Sequence, residues 1–66
     1  MRSNLLMNCM WYEDISLETM ADALELTPER LCQKIFQEVE FTEEEIQKVT
    51  ALLGLTDDEV YMIFYK

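Results

Sequence analysis

Four hydroxyl residues punctuate this chain and leave it little choice but a set of short helices. Ser16 stands before Leu17, Thr27 before Pro28, Thr42 three residues ahead of Glu45, and Thr56 three residues ahead of Glu59. A hydroxyl at such a position accepts a hydrogen bond from an otherwise unpaired first-turn N–H, and a glutamate three residues on accepts one from the cap residue's own N–H. Pro28 brings the fixed φ that suits the first helical position. With one Gly and one Pro in 66 residues, these signals predict an all-α chain of helices joined by tight turns rather than a sheet. The length admits a single small domain, residues 1–66, with a thin core.

The predicted helices cover residues 3–12, 17–24, 28–37, 43–53 and 57–64. In the second, Leu17, Met20, Ala21 and Leu24 recur at spacings of three and four and share one face. Leu31 and Ile35 are the expected buried positions of the third. Glu43, Glu44 and Glu45 suit the positive end of the fourth helix, and Gly54 is its left-handed stop. The first helix lacks a clean apolar stripe. Only Glu25 and Leu26 lie between the second helix and the Thr27 cap, so those helices must cross at a large angle, as in a helix-turn-helix.

Hydrophobic residues make up 50% of the chain, enough to drive folding. No apolar run reaches the roughly 18 residues of a membrane span, and the N-terminus has no secretory pattern, so a soluble, cytoplasmic protein is expected. Cys9 and Cys32, without His or a CxxC pair, supply neither a disulfide scaffold nor a zinc ligand set, so reduced thiols and no metal or cofactor are expected. Cys32 has no evident base beside it, so no catalytic residue and no enzyme activity are expected.

Charge sets the functional question. Arg30 and Lys34 lie in the third helix with Gln33 and Gln37, and together they would offer an exposed polar face suited to base edges in a major groove. The whole chain nevertheless carries a net charge of -9. Most affinity for DNA comes from neutralising phosphates, and a field of this sign slows approach to them. First-turn glutamates also stabilise helices whatever the protein does, so part of the acidity has a purely structural reading.

Taken in order, the chain resembles the lambda-repressor/Cro-like helix-turn-helix family, in particular its small phage and mobile-element members. Ile15-Ser16 matches the entry to the family's second helix, Met20-Ala21 its Leu-Ala pair, and Leu24-Glu25-Leu26-Thr27 its Leu-Gly-Ile-Ser turn. Glu40-Phe41-Thr42 with Glu45-Ile46 is similar to the family's Glu-Phe-Thr-x-x-Glu-Ile, and Leu52-Leu53-Gly54-Leu55-Thr56 through Glu59 to its Leu-Leu-Gly-Leu-Ser-x-x-Glu. The resemblance spans almost the whole chain and implies a compact five-helix fold. Nearly every matched residue is a packing or capping position, and the departures fall where DNA contacts are made. Leu17 replaces a Gln, Pro28 and Glu29 replace polar residues opening the recognition helix, and Gln37-Glu38 replace a Gly and a Lys, while Glu25 replaces the turn Gly and must either accept a strained backbone or change the turn.

The two ends carry an apolar surplus. With Leu6 and Cys9 as the core positions of the first helix, Leu5, Met7, Met10 and Trp11 cannot all be buried; with Val60, Ile63 and Phe64 buried in the last, Tyr61, Met62 and Tyr65 remain partly outside. Such a surplus fits an interaction surface, including a homodimer through the first and last helices. The plainer alternative is that the two ends fold over each other to complete the core.

Two functions compete. The first is a protein-binding regulator of phage or mobile-element type, an anti-repressor or an inhibitor of a nucleic-acid-binding enzyme such as an anti-CRISPR. It would present Asp22, Glu25, Glu38, Glu40, Glu43 and Glu44 to the basic surface of a repressor or nuclease, with Trp11 and Tyr61 as anchors. The second is a dimeric sequence-specific repressor that reads duplex DNA with Arg30, Gln33, Lys34 and Gln37.

Overall fold

Every helix after the first begins where a hydroxyl accepts its free N–H groups. In the computed structural model, which describes residues 1–37 and 39–65, the described residues form α1 (Ser3–Tyr12), α2 (Leu17–Ala23), α3 (Pro28–Phe36), α4 (Glu43–Leu53) and α5 (Asp57–Val60), and no strand. The fold class is all-α, as expected. Ser16 accepts from the Thr19 N–H and Thr27 from the Arg30 N–H, each at 3.1 Å. Thr42 with Glu45 and Thr56 with Glu59 form the two complete capping boxes. Helices α1 and α4 have the expected bounds, while α2 and α3 each stop one residue earlier than predicted.

The fifth helix departs from expectation. Its α-helical part is one turn long, and Tyr61–Tyr65 continues it as a π-helical turn. The wider winding changes the phase of the side chains. Ile63 is buried, Val60 and Phe64 are only half-buried, and Tyr61, Met62 and Tyr65 face solvent. Phe64 packs on Phe41 with ring centroids 5.6 Å apart.

Three helices end in the same way. After α1 the Ile15 N–H donates to the Met10 carbonyl and Asp14 takes a φ of 58°. After α2 the Leu26 N–H donates to the Ala21 carbonyl and the Glu25 N–H to Asp22, with Glu25 at 59°. After α4 the Leu55 N–H donates to Thr50 around Gly54 at 64°. These are left-handed closures that pair otherwise orphaned carbonyls, and only the last uses glycine. Glu25 therefore accepts the strained backbone that its place in the turn implied.

The core joins Leu6 and Met10 of α1, Met20, Ala21 and Leu24 around α2, Leu31 and Ile35 of α3, Val49 and Leu53 of α4, and Ile63. Met10, expected among the surplus, is a core residue, one turn below Leu6 on the same face, while Cys9 is only half-buried. The two ends of the chain do fold together. The Arg2 N–H donates to the Ile63 carbonyl at 2.7 Å, and the Ser3 hydroxyl donates to the Ile35 carbonyl at 2.6 Å. No described helix is long and apolar enough to cross a membrane.

The left-handed sites give opposite predictions for two substitutions. Glu25→Gly removes the side-chain penalty at φ 59° and should stabilise the domain by about 1 kcal/mol, raising Tm by about 4–8 °C. Gly54→Ala, where an added Cβ meets nothing within 4 Å, should cost about 1 kcal/mol through backbone strain alone. Thermal unfolding followed by circular dichroism checks both.

Candidate functional site

The third helix presents two faces whose contents differ from the sequence expectation. Leu31 and Ile35 are buried, as expected. Lys34, expected on the exposed face with Arg30, is instead only 6% exposed. It lies three residues after Leu31, and so shares that residue's inward side. Its ammonium donates to Glu45 Oε1 at 3.0 Å and to the Glu40 carbonyl at 3.3 Å, and stands 5.6 Å from the centre of the Phe41 ring. A buried cation needs such partners, because an unpaired one would be costly to take out of water.

Glu45 serves two partners with one oxygen. Oε1 accepts from the Thr42 N–H at 2.9 Å, completing the capping box, and from Lys34. Burial acts to raise this carboxyl, but the Thr42 N–H and then the hydrogen bond and charge of Lys34 outweigh it and hold Glu45 below its ordinary value.

On the outward face remain Arg30, Gln33 and Gln37, all exposed. Arg30 Nη1 donates to Gln33 Oε1 at 3.3 Å, so the two are locally paired. Cys32 is half-buried. The outward face also carries a residue that polarity alone did not single out: Phe36 is 62% exposed. The helical phase that places Ile35 in the core turns Phe36 about 100° away from it, so the signal was available in the spacing.

The acidic residues named from sequence do not gather into a single cluster. Glu25 and Glu44 converge on Lys48, whose ammonium is 3.6 Å from Glu25 Oε2 and 3.7 Å from Glu44 Oε1. Asp22 is exposed in a shallow hollow beside Glu18 and Pro28. Glu40 and Glu43 line neighbouring hollows that share Ile46 and Tyr65. Glu38 lies outside the described residues. Trp11 is 87% exposed at the end of α1, and Tyr61 is exposed at the start of the π turn. No protein-family model, curated protein or solved structure matches the chain.

The Lys34 to Glu45 pair makes a signed pH prediction. A folded value below the ordinary 4.5 means that the pair's contribution is complete above about pH 4.5 and is lost as pH falls through the lowered folded value. Lys34→Met keeps the apolar stem and removes the charge; it should cost about 1–3 kcal/mol near neutrality. That difference should narrow as pH falls from 4.5 through Glu45's lowered folded value, where the parent protein loses the pair. Urea unfolding of the two proteins across pH measures it.

Proposed function

We propose that this chain is a small acidic regulatory protein of phage or mobile-element type, built on a lambda-repressor/Cro-like helix-turn-helix formed by α2 and α3, and that it binds another protein rather than duplex DNA. The partner presents a basic surface, as a repressor or a nucleic-acid-binding enzyme does, and the class of action is that of an anti-repressor or an enzyme inhibitor such as an anti-CRISPR.

The observation that carries this reading is the burial of Lys34 against Glu45. It leaves Arg30 as the cation of α3 that faces outward, beside Glu29. Phosphate contacts supply most non-specific affinity for DNA, and each neutralised phosphate adds about 0.9 to the salt slope. One outward cation on the helix that would enter the groove is a weak beginning, and Lys48 is already shared between two carboxylates. The net charge of -9 adds repulsion at every approach angle. The exposed Trp11, Phe36 and Tyr61 supply the kind of aromatic surface that anchors protein contacts.

The second reading, a DNA-binding repressor, rests on Arg30, Gln33 and Gln37, which do share the solvent-facing side of α3. Selection from a randomised duplex library at low salt separates the two. The protein-binding reading expects no enriched sequence and no DNA binding tighter than about 10⁻⁴ M. An enriched sequence bound at nanomolar concentration, with binding abolished in Arg30→Ala, would establish the repressor instead.

A further inference from the structure

A groove runs along the outer side of α1 for about two helical turns, from Leu5 to Tyr12, roughly 10 Å. One part, of about 440 Å³, separates Cys9 and Tyr12 from the Leu53–Leu55 end of α4, with Glu13 and Glu59 in its lining. The other, of about 170 Å³, lies between Leu5 and Met62 over the buried Ile63. Asn8, Cys9 and Glu59 line both parts, so the two hollows adjoin along α1.

Its chemistry is one-sided. The Leu5 to Met62 part is almost wholly apolar, and the described residues lining the groove include neither Lys nor Arg. Tyr12 is 84% exposed at one end and Met62 is exposed at the other. Glu59 is held in place by accepting the Thr56 N–H at 2.8 Å. The fields of both carboxylates reach the middle of the groove, where burial, then Glu59 and Glu13, push the Cys9 thiol above its ordinary value. A second copy of a chain with net charge -9 is therefore a poor occupant for this acidic site, whereas a basic helix matches it in both apolarity and charge.

We propose that this groove receives a short amphipathic helix of the basic partner, with apolar side chains against Leu5, Cys9, Tyr12 and Met62 and lysines or arginines against Glu13 and Glu59. This assignment rests on the protein-binding reading above and gives it a location. The helix would place anchors one and two turns apart, as helix-in-groove recognition does.

The test uses the full chain and two helical peptides of roughly 15 residues, both with leucines at the same helical spacing, one with lysines on the other face and one with glutamates. The lysine peptide should shift the amide resonances of Leu5, Asn8, Cys9 and Met62, and it should bind roughly tenfold or more tightly than the glutamate peptide at low salt. Tyr12→Ala, Met62→Gln and Glu13→Gln change exposed side chains and should each weaken binding roughly fivefold while leaving the circular dichroism spectrum unchanged. Lysine-peptide binding that none of these variants weakens would overturn the groove but leave the protein-binding reading standing. Failure of the lysine peptide to bind, or a concentration-dependent doubling of mass that Tyr12→Ala abolishes, would also overturn the assignment, the latter in favour of a second copy. The broader reading falls separately, on nanomolar binding of a selected DNA sequence.

Discussion

A single carboxylate oxygen holds the middle of this fold together. Glu45 Oε1 accepts from the backbone at the start of α4 and from the ammonium of Lys34 on α3. The same ammonium reaches the Glu40 carbonyl and the Phe41 ring, so it gathers the far end of the connection between the two helices around itself. Phe41 in turn packs on Phe64 of the π turn. Capping, interhelical attachment and the seating of the C-terminal segment thus meet at one place. The low exposure of both side chains, 8% and 14%, makes the pair a structural requirement: either charge without the other would be left poorly solvated.

That requirement has a consequence for the surface. A lysine held inward cannot also meet phosphate, so the structural role of Lys34 subtracts from the outward charge of α3. The same local logic acts at Lys48, which is only partly exposed and bridges Glu25 and Glu44. In a chain with 5 basic and 14 acidic residues, each such pairing leaves the remaining surface more uniformly acidic. The proposed basic partner follows from this imbalance, and the apolar groove beside α1 offers it a place to seat side chains as well as charge.

Much of the fold was legible because its boundaries are written in local chemistry. Ser16, Thr27, Thr42 and Thr56 mark helix starts by what their hydroxyls can accept, and Gly54 marks a stop by what its backbone can adopt. The position of Glu25 also predicted strain, and it has a positive φ. Polarity points Lys34 to the exposed face, but its helical phase relative to Leu31 turns it inward. Its partner could not be inferred locally, since Glu45 is eleven residues away and already has a visible capping role. The core role of Met10 is equally hidden from local pattern: α1 has apolar residues all round, and only packing against the other helices selects Leu6 and Met10 over Cys9 and Trp11. The π turn has no sequence signal of its own, and it decides which of Tyr61 to Tyr65 turn inward. The separation of the acidic residues among Lys48 and several hollows is likewise a tertiary outcome.

The central claim is that Lys34 is a buried, paired cation and not part of the outward face of α3. Amine-reactive acetylation of the native protein, resolved by residue with mass spectrometry, tests it directly. Lys48, with 35% of its side chain exposed, supplies the internal comparison for Lys34, at 8%. Lys34 should be modified at least tenfold more slowly than Lys48 in the folded protein, about the effect of 1.4 kcal/mol of protection, and at a similar rate in denaturant. Equal rates for the two lysines in the folded protein would contradict the account, returning Lys34 to the surface and to the reach of DNA.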